Sequence, residues 1–265
     1  MNSVIDLLEN RMTLRKYDER PIEQDKVDAI LQAALRAPSG SNMMHYSIIQ
    51  ITDKNLQMKI QKNCKNQPYI SKAPLMLIFC ADYQRYIDYY EAGGVPEKCE
   101  KLGVEFHYPS ESGFLMSAVD ATLAAHNAVI AAESLGLGSC YLGHILSHIE
   151  DNRKLFDLPP YVFPVLAVIF GYQAEGHKRF KSPRFDKKYI LHENRYHRMS
   201  EKELEEMFSE RFSCPEGNRY GAVNRAQFSY IKKFCYEPAY QEMARSVREV
   251  LKSWKDERAV EENDD

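Results

Sequence analysis

The chain has 265 residues, 44% of them hydrophobic, enough for one or two domains with a substantial core. A net charge of −3 gives no general electrostatic drive toward nucleic acid or an anionic membrane. The six cysteines are scattered without a Cys-x-x-Cys pair, which excludes a zinc ribbon or thioredoxin motif and favours reduced interior thiols.

The N-terminal segment "MNSVIDLLENR" has too short an apolar run for a signal peptide. Residues 161–170, read as the longest apolar stretch, are far too few to span a bilayer. A soluble, cytoplasmic protein is expected. Ser3 is placed to cap a first helix through about Glu9, with Val4, Ile5, Leu7 and Leu8 as its apolar face. "RMTLRKY" follows. If it is extended, Arg11, Thr13 and Arg15 share one face and Met12 and Leu14 the other. Such a row fits two things: a solvated edge with the arginines paired to Asp18, Glu19 or Glu23, or a set of donors for phosphate or a delocalised oxyanion.

Val27, Ile30, Leu31, Ala34 and Leu35 repeat with helical spacing, so residues 24–37 read as an amphipathic helix ended by Pro38. A polar loop, "PSGSN", precedes a strand, "YSIIQIT", and residues 56–64 read as a helix. "PLMLIFCAD" is a run typical of a buried strand. Residues 83–112, rich in tyrosine, glycine and charge, show neither period and read as an excursion over a site. Residues 117–135 are dominated by alanine, with apolar positions nearly all round. They predict a central buried helix in which Ser117 and Asp120 resemble a cap and His126 is an interior histidine. Two strands, "GSCYLGHI" and "VFPVLAVIFGY", follow. Ser200 with Glu203 forms a capping box for a helix through about Phe208, and further helices end near Trp254. Strands and helices mix without strict alternation, so the expected class is α+β, as one domain over residues 1–255 with an acidic tail from 256.

Several familiar motifs are missing. Gly136-x-Gly138 follows a helix and has no third glycine, against a dinucleotide fingerprint. No P-loop or Gly-x-Ser-x-Gly elbow is present. His144 and His148 have helical ligand spacing, but "YLGHI" reads as a strand end without a local third ligand, so no metal is expected.

The order of the pieces carries more than any one of them. "RMTLRKY", an amphipathic helix, "APSGSN", a strand ending "ITD", then "AAHNAVIAAESLGLGSCYLGHI", "VLAVIFGY", "HKRFKSPR" and "LHENRY" together resemble the FMN-dependent nitroreductase family, most like its larger NADPH-preferring branch of oxygen-insensitive nitroreductases and flavin reductases. The resemblance runs to about Leu251. It implies a central mixed, mainly antiparallel sheet flanked by helices, and a homodimer with FMN at each of two interfaces. It also implies ping-pong transfer of hydride from NADPH or NADH, through flavin N5, to nitroaromatics, quinones or free flavins, with no catalytic side chain. Arg11 is matched to the phosphate, Thr13 to a cofactor-binding hydroxyl, and Arg15 to the N1–C2=O edge of the ring. Ser39, Ser41 and Asn42 match a loop that reaches FMN from the partner subunit. Gln67 matches a polar residue near the ring, and Tyr141, Leu142 and Gly143 a strand whose backbone approaches the flavin. Arg184 matches a late phosphate-binding arginine. Its usual lysine partner is displaced by one, to Lys181, with Ser182 in its place. Met44 stands where many members have glutamine. Arg211, Arg219 and Arg225 fall where the NADPH 2′-phosphate is read, Arg219 matching best, while an arginine expected near Glu237 is missing. A specialised member, such as a dehalogenase-like or flavin-degrading enzyme, and a non-catalytic flavin-binding protein are the alternatives.

Overall fold

The computed structural model describes residues 2–212 and 225–255. It divides into two compact units, one whose described residues fall within Met1–Lys178 and Ala239–Asp265, the other within Arg179–Pro238.

The first unit is built on an antiparallel sheet of β1 (Tyr46–Ile51), β2 (Leu75–Asp82), β3 (Gly138–Leu142) and β4 (Val162–Gly171), in the order β1-β2-β4-β3. β2 is buried at every position, as its unbroken apolar run requires. Leu75, Leu77 and Phe79 enter one core layer, Met76, Ile78 and Cys80 the other. Helices cover both faces. α1 (Ser3–Asn10) and α2 (Gln24–Leu35) precede β1; α3 (Lys54–Asn63) and α4 (Tyr69–Lys72) lie between β1 and β2. The 83–112 excursion is helical in large part, as α5 (Gln84–Ala92) and α6 (Val95–Leu102). Its helical period was hidden because α5 buries only Ile87 and α6 buries nothing.

α7 (Glu111–Ser134) begins six residues before the expected start, so Ser117 and Asp120 are interior residues, not a cap. The Ser117 hydroxyl donates to the Gly113 carbonyl within the helix. Ala121, Ala124, Ala125, Ala128, Val129 and Ala132 are buried in one core layer with residues of α2 and the sheet. Among the described residues α7, and not residues 161–170, is the element long and apolar enough to cross a membrane by length and composition; its small face is packed on the sheet instead. The opposite face is open, and His126 lies on it, exposed rather than interior. α1 is likewise capped by Asn2, not Ser3: the Asn2 side chain accepts from the Val4 N–H at 2.9 Å.

α8 (Ile149–Phe156) follows β3. The second unit holds α9 (Glu201–Phe212), with the capping box formed between Ser200 and Glu203, and α10 (Arg225–Tyr230). α11 (Pro238–Leu251) then returns to the first unit. Trp254 beyond it is fully buried with Ile149, Phe163 and Val250.

Candidate functional site

Residues 11–17 are extended. Leu14 donates its backbone N–H to the Ser139 carbonyl at 2.9 Å, Thr13 forms a parallel bridge with Ser139, and Tyr17 an antiparallel bridge with Gln173. The segment thus joins the sheet beside β3. Leu14 is fully buried, seated on Gly138. A Cβ at Gly138 would stand 2.6 Å from Leu14 Cδ2, so glycine is required for this close approach. The Tyr17 hydroxyl donates to the Leu14 carbonyl at 2.8 Å and locks the segment.

With Leu14 fixed inward, Arg11, Thr13 and Arg15 fall on the opposite side of the strand. The row from Arg11 to Arg15 is about 13 Å long. Its two ends differ. Arg11 Nη1 is buried and has no hydrogen-bond partner. A guanidinium N–H removed from water without an acceptor is costly, and an anion is the ordinary way to satisfy it. Arg15 is exposed at the other end and stands beside Tyr69 and Cys140, its guanidinium 6.0 Å from the Tyr69 ring centroid. Tyr69 in turn bonds Gln67, whose amide donates to the Cys64 carbonyl at 3.0 Å. Burial pushes the Cys140 thiol and the Tyr69 hydroxyl up, while the neighbouring Arg15 charge pulls both down. The acidic residues that the solvated-edge reading offered the arginines are engaged elsewhere: Asp18 with Arg20, Glu19 with Lys72, and Glu23 with Lys26 and Tyr172.

β3 supplies the neighbouring wall. Leu142 is buried, so only its backbone is available to a ligand, and Tyr141 is part-exposed near Arg11. A Cβ at Gly143 would meet nothing within 4 Å. Arg11, Thr13, Arg15, Gln67, Tyr141, Leu142 and Gly143 are therefore gathered on one side of the first unit. Tyr69 and Cys140 belong to the same cluster and were not singled out from the sequence. Cys140 lies inside the matched strand and Tyr69 two residues after Gln67, which was the available signal.

Ser39, Ser41 and Asn42 are not part of this cluster within one chain. They precede β1, at the sheet edge opposite β3. Three strand spacings, about 14 Å, separate those edges. The loop has a defined shape: Ser41, Asn42 and Met44 adopt positive φ of 50°, 57° and 52°. Such backbone costs on the order of 1 kcal/mol or more per residue and persists only where its surroundings hold it. The Ser39 hydroxyl donates to Asp120 at 2.7 Å and accepts from the Met44 N–H at 2.6 Å, so it serves the loop itself. Asp120, read from the sequence as part of a helix cap, is the buried carboxylate beneath the loop.

In the second unit Lys181 and Arg184 are exposed. Arg219 and the side chains of Arg211 and Arg225 lie outside the described residues. His144 lies in a 3-10 turn (Gly143–Leu146) and His148 sits in a left-handed conformation (φ 56°) before α8, so the two do not occupy successive turns of one helix.

The Nitroreductase family model matches residues 8–172. An FMN reductase [NAD(P)H] of Bacillus subtilis is 34% identical over 74% of this chain and 75% of its own length. An NADPH-dependent oxidoreductase of Staphylococcus aureus is 30% identical over 77% of this chain and 78% of its own. The structure of NfrA1 from B. megaterium superposes with a TM-score of 0.78 at 26% identity, over 96% of this chain and 99% of that one.

Proposed function

The chain belongs to the nitroreductase family, and from that premise we propose that it is an FMN-dependent NAD(P)H oxidoreductase that works as a homodimer. The observation that carries the reading is the orphaned, buried Nη1 of Arg11 at one end of an extended row of donors. The row's length, about 13 Å, suits a ligand with a phosphate at one end and a planar, electron-accepting ring at the other. The open space over Gly143 leaves room for that ring.

Bound FMN supplies two-electron redox chemistry, between NAD(P)H as donor and an acceptor such as a nitroaromatic, a quinone or a free flavin. Arg11 binds the phosphate and Thr13 the chain beside it. Arg15, beside Tyr69 and Cys140, would present its positive charge to the N1–C2=O edge, where negative charge gathers on reduction. Tyr141, Leu142 and Gly143 offer backbone groups, and Gln67 steadies Tyr69. Ser41 and Asn42 serve the cofactor of the partner subunit; their distance from Arg11 and Arg15 within one chain favours that arrangement. Lys181 and Arg184 carry their phosphate role by resemblance. Exposed apolar faces on α1 and α7 favour the dimer.

The nucleotide preference proposed is for NADPH, with Arg219 reading the 2′-phosphate and Arg211 and Arg225 beside it. Arg219→Ala is expected to lower kcat/KM for NADPH while sparing NADH; equal loss for both removes the assignment. The function itself is tested by the absorbance of the purified protein before and after anaerobic NADPH. The expected result is about one FMN per chain, bleached by the nucleotide. A folded chain that takes up no FMN defeats the proposal, and one that binds FMN but is reduced by neither nucleotide is a flavin carrier.

A further inference from the structure

Asp120 is a carboxylate in the middle of an apolar helix and is 2% exposed. Its oxygens accept from three donors on one short stretch: the Ser39 hydroxyl at 2.7 Å, the Gly40 N–H at 3.1 Å and the His45 N–H at 3.3 Å. Ser39 then closes the loop on itself through the Met44 N–H. A second set of anchors grips the same stretch from α5. Arg85 donates to the Met44 and Tyr46 carbonyls at 2.7 and 2.8 Å and is itself held by Asp82 at 3.0 Å. The Tyr86 hydroxyl donates to the Met43 carbonyl at 2.7 Å. Exposed Ser41 and Asn42 take no part in this anchoring, yet sit in the positive-φ backbone that it holds.

We infer that Asp120 is the positioning residue of the cofactor loop: from within α7 it fixes the backbone geometry in which Ser41 and Asn42 reach the FMN of the partner subunit. The inference rests on the FMN-binding dimer proposed above. A buried carboxylate suits the task because it only accepts, and three donors converge on it. One oxygen takes the Ser39 hydroxyl and the His45 N–H and the other the Gly40 N–H, so an amide there turns its NH2 on a backbone N–H in either orientation and the set of bonds no longer closes.

Asp120→Asn tests this, with FMN titrated into the apo dimer and the visible circular dichroism of the bound flavin recorded at saturation. The expected result is an FMN Kd raised about tenfold and an altered dichroic band, a positional signature that a mere loss of stability does not move. Ser39→Ala is expected to act in the same direction, and the double variant to be no worse than Asp120→Asn, because both act through one set of contacts. Ser39→Ala carries the test if Asp120→Asn does not fold. Wild-type Kd and wild-type dichroism in the folded variants overturn the inference. Failure of the wild-type protein to bind FMN overturns the proposed function instead. A hybrid dimer of one Arg11→Ala chain and one Asp120→Asn chain separates action within a chain from action across the interface. One site of wild-type affinity and one doubly weakened site are expected; two equally weakened sites overturn the inference.

Discussion

Arg11 carries a buried nitrogen without a partner, whereas Arg15 is exposed beside Tyr69 and Cys140 at the other end of the row, so their alanine variants are expected to differ. Arg11→Ala removes a charge-assisted contact worth roughly 1.5–3 kcal/mol, which raises the FMN Kd at least tenfold and leaves the flavin potential near that of wild type. Arg15→Ala removes the cation beside the ring and lowers the potential as well. Titrating FMN into both apo variants and measuring both potentials checks the pair; an unchanged potential in Arg15→Ala rejects the assigned ring contact. The thiols divide as sharply. Burial pushes Cys64 up to about 12 and raises Cys80 and Cys140, so all three stay protonated and shielded at pH 8. Cys235 is exposed. Maleimide labelling of the native protein at that pH, read by mass spectrometry, is expected to modify Cys235 and spare Cys64, Cys80 and Cys140.

Two elements carry predictions of their own. The arginine strand lies flush on β3 only because residue 138 has no side chain. Gly138→Ala forces Leu14 away, at about 1–3 kcal/mol of stability, and displaces Arg11 and Arg15 with it. Tm and FMN affinity are therefore expected to fall together. α11 is tied to α8 through Arg245, which bonds Glu150 at 2.7 Å on both oxygens and also Glu242; Glu242 in turn accepts from the His148 N–H. Hydrogen bonds from Arg245 are the main reason both carboxyls are held at about 2, below the ordinary 4.5. Groups depressed in the folded state stabilise it fully above 4.5, and that contribution is lost as pH falls through about 2. The Tm difference between wild type and Arg245→Leu is accordingly expected to be largest at neutral pH and to shrink toward pH 2. A difference independent of pH rejects the ion-pair account.

The same elements show how far a linear reading reaches. β2 and α2 were legible because each keeps one period: an unbroken apolar run, and a clean i, i+3, i+4 stripe. The alternation in "RMTLRKY" was legible too, with Leu14 buried on one side. Two things were not. α5 and α6 bury too little to show a period, so tyrosine-rich chemistry masked their helices. In α7 the apolar residues run all round, which conceals that only the alanine face is covered; His126 on the other face was misread for that reason. Asp120 was read only as part of a helix cap. Its partners are about 80 residues away in the chain, and spacing arguments do not reach that far.

At the scale of the whole molecule, the open face of α7 is the feature to explain. Leu115, Met116, Val119 and Leu123 are 62%, 50%, 43% and 37% exposed, and the neighbouring α1 exposes Val4, Ile5 and Leu8. Val4, Leu7, Leu8, His126 and Ile130 line a groove between these helices. A contiguous apolar surface of this kind marks an association site, because covering it recovers about 25 cal/mol per Å² of apolar area. Asp120 lies on α7 between Val119 and Leu123, so one helix carries both the exposed row and the anchor of the cofactor loop. On the proposed function dimerisation and FMN binding are coupled: a monomer would keep Arg11 and Arg15 but lose the partner's Ser41 and Asn42. Val119→Glu combined with Leu123→Glu places two charges on the exposed row and leaves the buried alanine face untouched. Sedimentation is expected to show monomer, and FMN affinity to fall well below that of the wild-type dimer at equal chain concentration. A variant that sediments as monomer and binds FMN as wild type rejects a loop acting in trans while leaving the row of donors on the arginine strand in place. A variant that remains dimeric removes α7 from the interface.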